Sequence, residues 1–192
     1  PVDGGAALAG PSTLVGVIEG KHLVELDLAR GARATRAVAP QGLYLGPPAV
    51  QGPARGAPVA ALAYTADRAF VVRIDAGGQE TLRAPVSSHT SASLPDGGAA
   101  PLTAPPHVGV VVDPRGAVAF AAPDGHVGVV TPEGAVERLG ELVCSRSGRA
   151  AGIAGLTPLG RTSFAVTCEG GAVVRIAGPE PELRRRDAAP GR

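Results

Sequence analysis

A pattern that recurs four times along the chain constrains the fold more than any other feature. Each copy has an apolar run of strand length, a turn with an acidic residue, a second apolar run, a turn of small residues and a more polar third run. The acidic turn residues are Glu19, Asp67, Asp124 and Glu169. The second runs end near Leu26, Ile74, Val130 and Ile176, so successive copies lie 48, 56 and 46 residues apart. Such a period with several strands in each copy predicts a β-propeller.

The stretch 117–139 shows why the runs are read as strands. Its short runs, rich in Val and Ala, are separated by Pro-Asp-Gly and Pro-Glu-Gly. Proline presets φ for a turn, aspartate bonds back to its own backbone, and glycine supplies the positive φ of a tight reversal. Proline and glycine at this density would break a helix. The stretch therefore predicts three antiparallel strands joined by hairpins.

The whole chain is accordingly predicted to be all-β, as a β-propeller or partial propeller of about four blades made of antiparallel meanders. Residues 1–85 would hold two repeats and residues 107–186 two more. The innermost strands would be 42–45, 108–112 and 152–156, and no innermost strand is predicted before Leu14, which makes the first repeat incomplete. A β-sandwich adhesion domain is the alternative architecture.

Two segments carry no strand pattern. Residues 86–106 are rich in Ser, Pro, Gly and Ala, which predicts a long loop or linker, either a lid or docking loop or a tolerated insertion. Residues 187–192 are predicted to be a disordered tail.

Composition argues against several kinds of partner. The net charge of the 192 residues is +1, which gives no electrostatic reason to expect DNA, RNA or an anionic membrane. No apolar run approaches the roughly 20 residues of a membrane span, so the chain is predicted to have no transmembrane segment. The chain contains no Met and begins at Pro1. We therefore expect a processed or excised segment, in which the lack of a signal peptide carries no information.

Cys144 and Cys168 are the only cysteines. They end an outer strand of one predicted blade and a middle strand of the next, where a disulfide would join the two blades. A disulfide would imply an exported, periplasmic or extracellular protein. Two buried free thiols in a cytosolic core are the alternative.

The four acidic turn residues form the candidate binding site. In a propeller, the turns between second and third strands lie on one face, so Glu19, Asp67, Asp124 and Glu169 would form an arc of carboxylates there. Such an arc could bind a cation or a basic segment of a partner. The alternative is that these residues only shape solvated turns, for which Asp and Glu suffice.

No catalytic residue and no metal site are predicted. His107, Asp113, Asp124 and His126 could in principle ligate zinc or iron, but their turns explain both aspartates without a metal. Ser87, Ser88 and His89 are adjacent in a loop, which cannot preorganise a nucleophile and a base. The sequence has no nucleophile elbow, phosphate-binding loop, dinucleotide fingerprint or zinc-protease motif.

The segments PDGHVGVVTPEG and EGGAVVRIAG resemble the repeats of bacterial β-propellers of the PQQ-like and NHL-like kind. The resemblance implies the fold class and a tendency towards binding. Quinoprotein enzymes of this fold carry Trp-containing blade motifs, whereas this chain has no Trp. No cofactor is therefore predicted.

The predicted function is a non-enzymatic propeller module that binds or scaffolds a protein partner, as a segment or subunit of a larger assembly. The alternative is a fragment of a propeller enzyme (a lactonase, lyase or glycosidase) whose catalytic residues lie on other blades. A four-blade arc would expose apolar faces at both ends, with Leu14, Val15 and Val17 at one end and Val173, Val174 and Ile176 at the other. Either the four blades close on themselves, or further blades belong to protein that was removed, or a protein partner or second copy covers these faces, and the last is predicted.

Overall fold

A computed structural model describes residues 5–65, 67–87, 91–93, 99–101, 109–122, 125–142, 145–146, 149–150, 153–159, 163–168 and 173–177. Within these residues the regular structure consists of 20 β-strands. Four antiparallel sheets follow one another along the chain, and we call them blades 1 to 4. The predicted all-β fold of antiparallel meanders is confirmed. No described segment forms a helix long and apolar enough to cross a membrane.

Blade 1 is a four-stranded meander. Its strands are β1 (Ala6–Leu8), β2 (Thr13–Ile18), β3 (His22–Asp27) and β4 (Ala32–Val38). Glu19 and Gly20, with φ of 54° and 62°, close the reversal between β2 and β3. The sequence predicts no innermost strand here, yet β1 pairs with β2. Three residues flanked by glycines are too short a run to show a strand pattern in sequence.

Blade 2 has an innermost strand in two pieces. Its strands are β5 (Tyr44–Leu45), β6 (Ala49–Val50), β7 (Val59–Tyr64), β8 (Ala69–Ile74) and β9 (Glu80–Ser87). Both β5 and β6 pair with β7, because the prolines at 47 and 48 interrupt the ladder between them. Two further strands, β10 (Ser91–Ser93) and β11 (Ala99–Pro101), pair with each other. They lie in the segment that the sequence predicts to be a loop.

Blades 3 and 4 repeat the meander. Blade 3 contains β12 (Val111–Val112), β13 (Val118–Ala121), β14 (His126–Val130) and β15 (Val136–Glu141). The short strands β16 (Ser145–Arg146) and β17 (Arg149–Ala150) pair with each other before blade 4, which contains β18 (Ile153–Pro158), β19 (Ser163–Cys168) and β20 (Val173–Ala177). The predicted innermost strands overlap β5, β12 and β18. The predicted tail at 187–192 lies outside the described residues.

The blades pack face to face in chain order, because successive side chains of a strand point to opposite faces of its sheet. In β7, Ala61 and Ala63 share a core cluster with Val15 and Val17 of blade 1. Leu62, between them, belongs to a second cluster with residues of blade 3. A third cluster joins blade 3 to blade 4 through Ala121, Val127, Ile153, Val166 and Cys168. A middle strand that buries both faces against neighbouring sheets is the arrangement of a propeller.

The prediction for the terminal faces is wrong in three residues. Val15 and Val17 are fully buried, and they pack against blade 2 instead of facing outwards. Val174 pairs with Val166, which packs against blade 3, so Val174 lies on the face of blade 4 that is turned towards blade 3. The error has one cause. The sequence shows which strands are apolar, but it does not show which alternate residues of a strand point to which side of the sheet, and a shift of one residue exchanges the two sides.

Candidate functional site

The face of blade 1 turned away from blade 2 carries a row of leucines. Leu8, Leu14 and Leu26 are paired in one row across β1, β2 and β3. Paired residues lie on the same side of a sheet, and this row is opposite to Val15 and Val17. We call this surface the open face. Its apolar side chains include Leu8, Leu14, Ile18, Val24 and Leu26, and His22, Thr35 and Arg33 lie on the same side.

The open face is buried at its centre and exposed at its rim. Val24 is fully buried, Leu14, Ile18 and Leu26 are half-buried, and Leu8 is 64% exposed. None of the three core clusters formed by the described residues includes a side chain of this face. Among the five apolar side chains named above, Leu8 is thus the exposed one beside three half-buried ones.

Blade 3 has a face that corresponds to the open face. Ala122 bonds to His126 in blade 3 as Ile18 pairs with His22 in blade 1, so Leu14 and Gly16 correspond to Val118 and Phe120. In blade 3, Val118 and Phe120 are fully buried in the cluster shared with blade 2. The open face therefore has the position and the apolar character of a surface that packs against a preceding blade.

The opposite end of the arc has a different chemistry. The face of blade 4 turned away from blade 3, which we call the far face, carries Ala165, Thr167, Val173 and Arg175. Val173 is 65% exposed, Arg175 is exposed, and Ala165 and Thr167 are half-buried. The far face thus presents small side chains and a cation, whereas the open face presents leucines.

An arginine joins blade 1 to blade 2. The guanidinium of Arg36 donates to the carbonyl oxygens of Asp75 at 2.8 Å, Ala57 at 2.7 Å and Gly56 at 3.4 Å. Burial lowers the pKa of Arg36, and the nearby carboxylates of Glu25 and Asp75 oppose that shift. A half-buried cation is tolerated here because it is hydrogen-bonded to several acceptors.

A second arginine joins blade 2 to blade 3 in the same manner. Arg73 donates to the carbonyl oxygens of Gly116 at 3.3 Å and Pro132 at 2.9 Å. These acceptors lie in the turn between the first and second strands of blade 3 and in the turn between its third and fourth strands. Arg36 bonds the segments just before β7 and just after β8, which are the corresponding positions in blade 2. In both contacts, the preceding blade supplies the arginine and the following blade supplies the carbonyls.

A shallow cleft lies beside the first of these contacts. It is lined in part by Glu25, Asp27 and Arg55. Arg55 lies 3.5 Å from the carboxylate of Glu25 and 3.9 Å from that of Asp27, and both carboxylates are largely buried. The arginine partly neutralises the two acids, so the net charge of the cleft is modest. These ion pairs join blade 1 to blade 2.

Of the four acidic turn residues, the structure describes Asp67 and Glu19. Asp67 accepts from the hydroxyl of Thr65 at 2.8 Å and lies 3.8 Å from Arg68, and both charged groups are exposed. Glu19 is exposed in its turn. Asp124 and Glu169 lie outside the described residues. A carboxylate arc that includes all four remains a prediction.

Lys21, the only lysine, is engaged in another contact between blades. Its ammonium group donates to the carbonyl oxygen of Leu43 at 2.6 Å and lies 4.0 Å from the ring centre of Tyr44. The Gly20 carbonyl accepts from the amide of Leu45 at 2.7 Å. The turn that carries Glu19 therefore anchors blade 1 to the innermost strand of blade 2.

The candidate metal ligands from the sequence lie partly within and partly outside the described residues. Asp113 accepts from the amides of Arg115 and Ala117 at 2.9 and 2.8 Å, which is a turn-forming role. His126 begins β14, while His107 lies outside the described residues. Among the described His, Cys, Asp and Glu side chains, no group of three or more comes together in a way that could hold a metal ion.

Cys168 is buried at the end of β19, in the cluster between blades 3 and 4. Cys144 lies outside the described residues, so the disulfide between the two remains a prediction. The location of Cys168 at a contact between blades agrees with the role that the sequence predicts for it.

Sequence reasoning missed Arg36, Arg73 and Leu8. A signal existed for Arg73, since a single arginine inside the apolar run VVRI has to find buried acceptors or reach solvent. For Arg36 and Leu8 the decisive fact is the face on which each lies, and that depends on a bulge in β4 and on the pairing of β1.

Comparison with known proteins shows the fold. No protein-family model matches the chain, and no curated protein matches it in sequence. BamB from Moraxella catarrhalis matches in structure with a TM-score of 0.51 at 14% identity, over 92% of this chain and 43% of that chain. An oligogalacturonate lyase in complex with manganese matches with a TM-score of 0.56 at 13% identity, over 91% of this chain and 50% of that chain.

Both neighbours are β-propeller proteins, which confirms the fold class and the resemblance of the repeats to bacterial propellers of the PQQ-like kind. At these identities the likeness shows the fold alone. This chain spans half or less of the length of either neighbour.

Proposed function

We propose that the chain is a non-enzymatic propeller module that binds a protein partner through the open face of blade 1. The observation that carries the proposal is the composition of that face. It matches the face that blade 3 buries against blade 2, yet Leu8 at its rim is 64% exposed. Burying apolar surface of this kind stabilises an assembly by roughly 25 cal/mol for each Å² removed from water.

The chemistry of the open face favours a protein over a small ligand. Its leucines lie in a row across three strands of a sheet, with His22, Thr35 and Arg33 on the same side at the edges of the row. Small-molecule sites are concave and fix their ligand with a few placed polar groups. An extended apolar sheet face is complementary to another apolar sheet.

A location outside the cytoplasm is part of this proposal and depends on the disulfide between Cys144 and Cys168. An exported subunit would meet an oxidising environment, in which a disulfide between blades forms and persists.

Photo-crosslinking in the native host tests the proposal. Leu8 is replaced by the photoreactive amino acid p-benzoylphenylalanine, and the matched control carries the same replacement at Leu159, which is 53% exposed and lies outside the open face. We expect irradiation to give a covalent adduct with a protein from position 8 and none from position 159. Equal yields at the two positions, or no adduct at position 8, would contradict the proposal.

A further inference from the structure

We propose that the cleft between blades 1 and 2 binds a cationic side chain, the guanidinium or ammonium group of an arginine or lysine in a protein segment, and that Arg55 occupies this site when no such segment is bound. Glu25 in the cleft is paired with Val15, which faces blade 2. The cleft therefore lies on the side of blade 1 opposite to the open face, and this inference is independent of the proposed function.

Glu25 and Arg73 occupy equivalent places in blades 1 and 2. They are the second residues of the segments VELD and VRID, and the aspartate that ends each segment accepts hydrogen bonds within the turn that follows. Arg73 donates to turn carbonyls of blade 3, whereas Glu25 offers a carboxylate, which only accepts. The charge at this place is thus reversed at the contact between blades 1 and 2, and a cation is the group that complements it.

A smaller side chain in blade 1 leaves the space for that cation. Leu82, which is paired with Arg73, is half-buried against the core cluster shared by blades 2 and 3. Ala34, which is paired with Glu25, takes the corresponding place, and both Ala34 and Ala32 are exposed. The resulting cleft has a volume of about 280 Å³. Its two alanines provide an apolar surface for the methylene chain of an arginine or lysine, whose charged group then reaches the carboxylates.

The two carboxylates of the cleft have no closely bonded cation. The side chains of Glu25 and Asp27 are only 17% and 16% exposed. Arg55 lies 3.5 and 3.9 Å from them, beyond the roughly 2.8 Å of a charge-assisted hydrogen bond. Arg36 is bonded elsewhere, since its Nε and Nη2 donate to carbonyl oxygens of blade 2, and its Nη1 has no hydrogen bond within the described part of the chain. Largely buried carboxylates are stabilised by a donor that comes closer.

Arg55 is held weakly enough to be displaced. Its side chain is 68% exposed, and exposed ion pairs contribute little in water. It lies in the segment 51–58 between β6 and β7, flanked by Gly52 and Gly56 with φ of 88° and 73°. Arg33 also borders the cleft, but it is paired with Leu26, which places its side chain on the open face. An incoming cation therefore competes with Arg55 for the two carboxylates.

Titration of the full chain with N-acetyl-arginine amide, followed by amide NMR, tests the inference. We expect saturable shifts of the signals of Ala32, Ala34 and Gly56, with a dissociation constant in about the millimolar range, as suits a single side chain with few contacts. N-acetyl-citrulline amide has nearly the same shape without the charge, and it should give no saturable shift at these positions.

Three variants separate a binding site from a structural ion pair, with circular dichroism as the check of folding. Arg55→Ala should strengthen binding about two- to fivefold, the factor of an exposed ion pair, because it removes the internal competitor. Arg68→Ala removes a positive charge from an exposed turn elsewhere and should leave the affinity unchanged. Ala34→Leu should abolish binding without changing any charge, because it fills the cleft as Leu82 fills the next junction.

Several results would overturn the inference. They are the lack of a saturable shift in both the wild type and Arg55→Ala, equal shifts with the citrulline compound, and an affinity of Arg55→Ala no higher than that of Arg68→Ala. Unchanged binding by Ala34→Leu would also refute a site in this cleft. None of these results changes the crosslinking expected from position 8, so this inference and the proposed function fail separately.

Discussion

At the residue scale, two half-buried arginines contribute more to the contacts between blades than the exposed charges do. Arg36 and Arg73 each satisfy backbone carbonyls of the next blade, so they join neighbouring sheets. The exposed pair of Asp67 and Arg68 contributes little by comparison, because such pairs are weak in water.

Arg36→Ala is expected to lower the free energy of unfolding by about 2 kcal/mol, because it removes charge-assisted hydrogen bonds and leaves carbonyls without their donor. Arg33→Ala is the control, since Arg33 is exposed on the same strand. It should change stability by less than about 0.5 kcal/mol. Urea denaturation measures both. Equal effects would show that Arg36 does not join the blades.

Tyr64 makes stability sensitive to alkaline pH. Burial raises the pKa of Tyr64 above its ordinary value. The unfolded chain releases this proton near pH 10, while the folded chain retains it, so the unfolded state binds fewer protons and stability falls as pH rises. We expect a loss of up to about 1.4 kcal/mol for each pH unit above about pH 10. Tyr64→Phe should flatten this part of the stability profile, measured by denaturation at pH 9 to 11. An unchanged slope would mean that Tyr64 is not the group responsible.

At the element scale, tight turns hold the strands of one blade against those of the next. Gly78 ends the reversal between β8 and β9 with a φ of 82°, and a Cβ there would overlap the carbonyl oxygen of Arg36 in blade 1. Gly31 has a similar φ of 63°, but a Cβ there would meet open space. Substitutions at the two glycines therefore distinguish the cost of a left-handed backbone conformation from the cost of overlap with a neighbouring blade.

Gly31→Ala should cost about 1 kcal/mol, the strain of a left-handed conformation. Gly78→Ala should cost roughly 3 kcal/mol, because overlap with another blade adds to that strain. Thermal or urea unfolding of the two variants provides the comparison. If Gly78→Ala were no more destabilising than Gly31→Ala, the turn and β4 would not be in contact.

The predicted disulfide belongs to this scale too, since it would join elements of two blades. Protein isolated without reductant should show no free thiol, and reduction should lower stability by roughly 2–4 kcal/mol. Ellman titration of the unfolded protein measures the thiols directly. Two titratable thiols would leave Cys144 and Cys168 as unpaired core residues.

The sequence was sufficient to predict the strands that have strong turns around them. The Pro-Asp-Gly and Pro-Glu-Gly turns delimit β13, β14 and β15 because their residues have few other conformations available. It was insufficient for β1, a strand of three residues, and for the split of the innermost strand of blade 2. It was also insufficient for the open face. The side of the sheet to which a residue points depends on strand pairing and bulges, and hydrophobic periodicity does not reveal that side when both faces of the strand are apolar.

At the scale of the whole molecule, the two end faces of the arc differ in chemistry, and the proposed function uses one of them, the open face. One end carries leucines on the open face, and the other end carries small residues and an arginine on the far face.

The central claim is that the open face of blade 1 is covered by protein in the working assembly. Leucine-methyl NMR with a soluble gadolinium chelate measures this directly, because the chelate broadens methyl signals that it can approach. Leu23 and Leu62 are fully buried, and Leu28 and Leu159 are more than half exposed, so they calibrate the two limits. In the assembled protein, we expect the methyl groups of Leu8 to be protected like those of Leu23. Broadening of Leu8 to the level of Leu28 would show that the open face is in contact with water and would contradict the account.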